Sequence, residues 1–296
     1  MEGSKEKDIY GLLGMNISYS LSPAMHNAAF RHYGINAEYG LFDMGEGSLR
    51  GFFSSRVLEG GIRGFNVTVP YKMKAREMLG DMAGASAEDE WVELTGSVNT
   101  VKLQKDKVAM YNTDVSGFAR SLKEEAGFEP SGGKGILLLG AGGAGRAICI
   151  YLGTLGSSVK IRVFDPDTDR TASLEDYFRD KGLEPLCVIG SREELPEIMK
   201  ECGLVINATP LGTRKGDMPP VPLEALQSGM VIYDLVYARE TELVKSAKDK
   251  GLKAVDGRDM LVNQGALAFN IWTGKPVEEV KQVMKEALHS ALEGVE

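Results

Sequence analysis

The chain is poor in the residues that build metal sites and covalent cross-links: among 296 residues there are three cysteines and three histidines. Cys149, Cys187 and Cys202 are odd in number, widely spaced and without a Cys-x-x-Cys pair. That usage argues against a disulfide framework and a thiolate zinc site, and suits a reducing compartment. His26, His32 and His289 form no metal-ligand pattern, so no metal is expected. His26, near a predicted helix start, reads as a partly buried polar residue. Long hydrophobic runs are also missing; stretches such as Ile136–Leu139 have the length of strands, not of membrane spans. Nor is there an excess of positive charge: the formal net charge is −8, which provides no electrostatic footprint for nucleic acid or an anionic membrane. The start, Met1 to Lys7, lacks the apolar core of a signal peptide and reads as a frayed tail, with the cytoplasm as the expected location. Internal repeats and low-complexity segments are absent.

What the chain does contain, 43% hydrophobic and 26% charged residues, is the composition of a globular soluble protein, and its length fits two domains. Strands are predicted at Ile9–Leu13 and Gly61–Val69, and a hairpin from Ser97–Leu103 and Val108–Tyr111. Helices are predicted at Ser22–Tyr33, opened by Ser22-Pro23, at Tyr71–Met78 and at Ser116–Ala126. A loop rich in Gly, Pro and Ser follows, from Gly127 to Gly135. Strands then recur at Ile136–Leu139, Val159–Phe164, Pro185–Ile189, Leu204–Asn207, Val231–Asp234 and Lys253–Val255, with helices between most of them. That alternation predicts a parallel sheet covered on both faces. The end is helical, through Leu261–Trp272 and Val277–Leu292, and is expected to fold back onto the first domain. The expected division is an α/β substrate-binding domain, 1–113 completed by 257–296, around an inserted Rossmann dinucleotide-binding domain, 114–256.

Gly140-Ala141-Gly142-Gly143-Ala144-Gly145 follows an apolar strand and opens a helix. This is G-x-G-x-x-G in its proper context: the glycines allow a tight turn and a close backbone approach to a pyrophosphate, which the helix amino terminus faces. Asp165, at the end of the next strand, can accept hydrogen bonds from the adenosine ribose hydroxyls and would repel a 2′-phosphate. Its alternative role is a solvated turn carboxylate. Arg170, nearby, can serve a phosphate.

Four stretches are polar at strand ends or helix starts: Ser20-Leu-Ser22-Pro23, Asn66-Val-Thr68-Val-Pro70-Tyr71-Lys72, Val98-Asn99-Thr100 and Asn112-Thr113-Asp114. Singly they read as caps, turns and a solvated lysine. Jointly they supply hydroxyls, an amide, an ammonium and a carboxylate, a set suited to a polyhydroxylated acid.

In this order, and with Asn207-Ala-Thr-Pro-Leu-Gly212, Tyr233-Asp-Leu-Val-Tyr237 and Gly257…Met260-Leu261…Gln264…Trp272-Thr-Gly274, the motifs resemble those of shikimate dehydrogenases from Tyr10 to Gly274. The resemblance implies reversible reduction of 3-dehydroshikimate to shikimate with NAD or NADP. It implies that Ser20, Ser22 and Tyr237 hold the substrate carboxylate, and that Thr68, Lys72, Asn99, Asp114 and Gln264 surround the ring hydroxyls. Gly140 to Gly145 would take the pyrophosphate, with Thr209, Leu235 and Gly257 near the nicotinamide half. Lys72 is the candidate proton donor and acceptor, oriented by Asp114. The sequence departs from the family where NADP-dependent members carry Asn-Arg-Thr and this chain has Asp165-Pro166-Asp167, which favours NAD. A quinate/shikimate dehydrogenase using NAD is the nearest alternative, and a catalytically inactive dinucleotide sensor is the alternative of another class. A monomer or homodimer is expected, with no nucleic acid or membrane partner.

Overall fold

The computed structural model describes residues 6–58, 61–130, 133–156 and 158–293. The expected frayed tail therefore falls mostly outside the described residues, as does the middle of the expected loop at 127–135. The chain divides into two compact units, Met1–Gly117 with Val262–Glu296, and Phe118–Leu261.

The first unit is built on six strands: β1 (Asp8–Gly14), β2 (Ala37–Asp43), β3 (Gly64–Val67), β4 (Ala85–Ala87), β5 (Thr100–Gln104) and β6 (Lys107–Tyr111). Their order is β2-β1-β3-β5-β6-β4. β1 runs parallel to β2 and β3, β5 is antiparallel to β3 and β6, and β4 is parallel to β6. Alternation in β3 separates two cores, because successive side chains leave a strand on opposite faces. Phe65 and Val67 join Leu13, Phe52, Phe53 and Val101 in one. Asn66 turns the other way, to the Tyr39 hydroxyl, and the Gly64 position abuts Trp272. On that side the helix Ser22–His32 buries Met25, His26, Ala29 and Phe30, a one-face spacing. The helix Val277–Glu293 does the same with Val280, Met284 and Leu288. Trp272 sits 5.0 Å from the ring of Tyr10 and donates its indole N–H to the Val101 carbonyl at 2.9 Å, so the final helices close this core.

His26 corrects an expectation. It is fully buried, not partly, stacked on Tyr39 with ring centroids 4.3 Å apart, and among the described residues neither ring nitrogen has a hydrogen-bond partner. Burial pushes its pKa down to about 3, so it packs as a neutral aromatic ring.

The second unit carries β7 (Gly135–Leu139), β8 (Ile161–Phe164), β9 (Cys187–Val188), β10 (Cys202–Asn207), β11 (Val231–Asp234) and β12 (Lys253–Val255). All pairs are parallel and the order is β12-β11-β10-β7-β8-β9, that of the doubly wound fold. β7 and β10 are buried along their whole length, as central strands covered on both faces must be. They are also the pair at which strand order reverses, so the loops leaving their carboxyl ends flank the crevice where such sheets bind ligands. β2 and β4 lie beyond the sequence expectations. In β2 only Tyr39 is fully buried, and Gly40 interrupts the alternation that would have marked the strand. The strand expected at Pro185–Ile189 is reduced to two residues. Among the described residues no helix is long and apolar enough to cross a membrane.

Candidate active site

Sheet topology gathers the four polar stretches of the first unit. Leu13 of β1 pairs with Val67 of β3, so the loops that follow both strands leave from one edge. Thr100 at the start of β5 pairs with Asn66 and with Tyr111 at the end of β6, which brings Val98–Thr100 and Asn112–Asp114 to that same edge. Ser20 and Ser22 form a pair, their hydroxyls 3.2 Å apart, and the Ser20 hydroxyl also accepts from the Ser22 amide. The loop that presents them is held by Asp43, whose carboxylate accepts from the amides of Asn16 and Ile17 at 2.8 and 3.0 Å.

At the start of the helix Lys72–Gly80, the Lys72 ammonium donates to Asp114 Oδ2 at 2.5 Å, with side-chain exposures of 15% and 12%. This pair is therefore largely withdrawn from water yet accessible to a small ligand. Asn112 and Asn99 fix the backbone that carries the carboxylate. Asn112 is fully buried, donates to Thr95 Oγ1 and Ser97 Oγ, and accepts from the Asp114 amide. The Asn99 side-chain amide donates to Thr113 Oγ1 at 3.0 Å and accepts from the Thr113 amide at 2.8 Å. Asn99, expected at a ring hydroxyl, thus spends much of its hydrogen-bonding capacity on the turn before Asp114. Thr68 is half-buried, and its carbonyl accepts the Tyr71 amide that turns the chain toward Lys72. Gln264 joins the group because residue 117 is glycine: a Cβ there would lie 2.9 Å from the Gln264 Cβ and amide. Gly117 follows Asp114 by three residues, hence on the same helix face.

In the second unit the chain leaves β7 through Gly140, at φ 92°, and enters the helix Gly143–Thr154, whose N-cap Gly142 contributes no capping side chain. A Cβ on Gly145 would stand 1.9 Å from the Gly140 carbonyl, so only glycine permits this turn. The first amides of the helix have no intrahelical acceptor and face outward with the positive end of the dipole. An uncapped amide cluster on a turn whose only side chains are the methyls of Ala141 and Ala144 fits a pyrophosphate. Asp165 is no solvated turn residue: it is 6% exposed, with Oδ2 accepting from the Ala141 amide at 2.7 Å and Oδ1 from the Asp167 amide at 2.9 Å. It braces the glycine turn itself. Arg170 reaches back to both acids, 3.0 Å from Asp167 and 3.7 Å from Asp165. Thr209, Leu235 and Gly257 share a second cluster. The Leu235 amide donates to the Asn207 carbonyl, and the Gly257 amide donates to the Val236 carbonyl. The Thr209 hydroxyl donates to Asn207 Oδ1 at 2.6 Å. Tyr237 belongs to this unit and Ser20 and Ser22 to the first; its carbonyl receives the Arg258 guanidinium at 3.3 Å. Asp43, Asn112, Asn207 and Asp234 were assigned no role from sequence. Asn112, Asn207 and Asp234 lie inside the sequence motifs, but as Asx residues at strand ends, where turn-forming residues are common for many reasons, they carry no mark of a role.

A doubly wound sheet in this strand order, with an uncapped glycine turn at its switch point, defines a Rossmann dinucleotide-binding protein with a second α/β unit. Residues 12–101 match the shikimate dehydrogenase substrate binding domain, and residues 257–289 match the shikimate 5'-dehydrogenase C-terminal domain. The shikimate dehydrogenase (NADP(+)) of Methanopyrus kandleri is 37% identical, over 96% of this chain and 97% of that protein. A shikimate dehydrogenase solved in complex with NADP+ superposes with a TM-score of 0.82 at 33% identity, over 97% of this chain and 96% of that one. The quinate dehydrogenase of Corynebacterium glutamicum, solved in complex with NAD, gives a TM-score of 0.81 at 29% identity, over 94% and 99%. The chain belongs to the shikimate dehydrogenase family.

Proposed function

We propose that this protein catalyses the reversible, nicotinamide-dependent reduction of 3-dehydroshikimate to shikimate. The observation that carries the reading is the shielded Lys72–Asp114 pair, at the end of the sheet from which the loops bearing Ser20, Ser22 and Thr68 also leave. The dinucleotide, when bound, supplies a hydride to the ring carbonyl or accepts one from the alcohol. The protein's part is to orient the acid and handle one proton. Lys72 donates that proton to the ring oxygen during reduction and takes it back during oxidation. Asp114 holds the lysine in place and accepts from the same hydroxyl region. Hydroxyls of Ser20, Ser22 and Tyr237 hold the substrate carboxylate, each charge-assisted bond contributing about 1.5–3 kcal/mol. Gly140–Gly145 would hold the pyrophosphate, with Thr209, Leu235 and Gly257 toward the nicotinamide half. The free thiols of Cys149, Cys187 and Cys202 fit a cytoplasmic setting.

A second reading, NAD-dependent oxidation of quinate as well as shikimate, is favoured by Asp165 and by the likeness to a quinate dehydrogenase solved with NAD. Steady-state kinetics with shikimate and quinate, each against NAD and NADP, separates the two. Turnover of shikimate well above quinate is expected. Turnover of neither acid with either dinucleotide would overturn the proposal.

A further inference from the structure

Asp234, the last residue of β11, is fully buried. Its Oδ1 accepts from Asn207 Nδ2 at 2.9 Å and from the Val236 amide at 3.0 Å, and its Oδ2 accepts from Thr241 Oγ1 at 2.7 Å. Asn207, the last residue of β10, is also fully buried. Its Oδ1 accepts from the Thr209 amide at 3.1 Å and from the Thr209 hydroxyl, while Nδ2 donates in addition to the Leu211 carbonyl at 3.1 Å. The Thr209 hydroxyl in turn accepts from the Leu211 amide at 3.2 Å. One carboxylate is thereby tied, through a single asparagine, to Thr209–Leu211 and directly to Leu235–Val236, whose carbonyl anchors Gly257. Its donors among the described residues are neutral. Burial pushes the Asp234 carboxyl up from the usual carboxylate range, against the pull of those donors. A desolvated carboxylate is a costly way to fill a core, so its contribution lies in what it holds.

We propose that Asp234, acting through Asn207, is a positioning residue that sets the loops after β10 and β11 against the nicotinamide half of the dinucleotide. The inference rests on the reading of Thr209, Leu235 and Gly257 as nicotinamide-facing. Small misplacements of a reacting group cost rate steeply, about 10²-fold for 1 Å. An alanine at 234 leaves the Asn207 amide, the Val236 N–H and the Thr241 hydroxyl without their acceptor. An asparagine keeps an acceptor for the first two, and its NH2 donates to Thr241 Oγ1 with the polarity of that bond reversed.

The test uses the full-length enzyme with shikimate and its better dinucleotide. For Asp234→Ala the dinucleotide KM is expected to rise, and kcat to fall, by at least tenfold each, with the shikimate KM within about threefold of wild type. Asp234→Asn is expected to return both to within about threefold. Asn207→Asp places a second carboxylate against Asp234; its activity should be low at neutral pH and rise as pH falls, when the pair shares a proton. If Asp234→Ala does not fold, Asn207→Asp decides: as pH falls its dinucleotide KM should recover while the shikimate KM stays within about threefold of wild type, a split that mere destabilisation has no reason to produce. Unchanged dinucleotide kinetics in Asp234→Ala, an Asn variant as impaired as Ala, or a flat Asn207→Asp profile would each overturn the proposal. Failure of wild type to turn over shikimate with any dinucleotide would instead remove the functional reading beneath it.

Discussion

Asp165, Pro166 and Asp167, directly after β8, lead to a prediction about dinucleotide selectivity. Arg170 is the nearby cation that could meet a 2′-phosphate, but its guanidinium is held by Asp167 at 3.0 Å and Asp165 at 3.7 Å. An incoming phosphate would have to draw it away from two carboxylates. Each carboxylate about 4 Å from a unit of phosphate charge repels it by about 1 kcal/mol in bulk water and about 4 kcal/mol at an effective dielectric of 20. Arg170 and Asp167 are about half exposed, which moves their contribution toward the lower figure, whereas Asp165 is 5% exposed at its side chain. A net discrimination of at least ~1.4 kcal/mol, tenfold in kcat/KM for NAD over NADP, follows. Asp165 is a poor place to perturb, since both oxygens carry backbone amides. Pro166→Arg with Asp167→Asn is cleaner: it adds a cation, removes one carboxylate and keeps a capping acceptor for the Asp169 amide. This double variant is expected to move the ratio toward NADP by about tenfold or more, with the shikimate KM unchanged, and the wild-type preference should weaken as salt rises. Wild-type preference for NADP at low salt would refute the reasoning and make Arg170 the dominant group in this loop.

Other expectations follow from the same geometry. Gly145→Ala drives a methyl into the Gly140 carbonyl, so dinucleotide affinity measured by calorimetry should fall more than tenfold; near-normal affinity would mean the turn relaxes freely. Tyr237→Phe and Ser22→Ala should each lower kcat/KM for shikimate about tenfold or more through loss of a charge-assisted bond, and unchanged values would move the carboxylate subsite elsewhere. The folded-state pKa of His26, about 3, lies below that of an exposed histidine, so the unfolded chain binds the extra proton. Stability from this residue should be complete above about pH 6.5 and decline up to tenfold in the folding equilibrium per pH unit toward pH 3. Urea titrations at pH 5 and 7 on wild type and His26→Phe check this: the variant should lose less stability on acidification, and equal losses would exonerate His26.

Much of this was legible because glycine turns and strand periodicity are local. Ile136–Leu139 followed by Gly140–Gly145 announces its own structure, since a buried parallel strand is continuously apolar and the turn admits no Cβ at Gly145. The pairing of Lys72 with Asp114, 42 positions apart, is a consequence of sheet order instead; the resemblance to a family suggested it, but no spacing encodes it. Asp165 shows the converse. Its position at a strand end was read correctly, yet the burial that turns its oxygens toward Ala141 and Asp167 depends on how the turn folds over it. His26 was underestimated because a histidine on a helix face carries no mark of the Tyr39 and Trp272 rings that enclose it. Asn207 and Asp234 are hard to read for a similar reason: the bond that joins them crosses from β10 to β11, while their other partners lie within a few residues, as for any strand-end Asx turn.

The most direct test of the central claim is the shikimate-dependent reduction of dinucleotide, followed at 340 nm, by wild type and Lys72→Ala, with dinucleotide affinity measured on both. Wild type should turn over, and the variant should lose at least ~10²-fold in kcat with dinucleotide affinity nearly unchanged. A variant that keeps more than about half of wild-type turnover would take Lys72 out of the chemistry and contradict the role given to the Lys72–Asp114 pair.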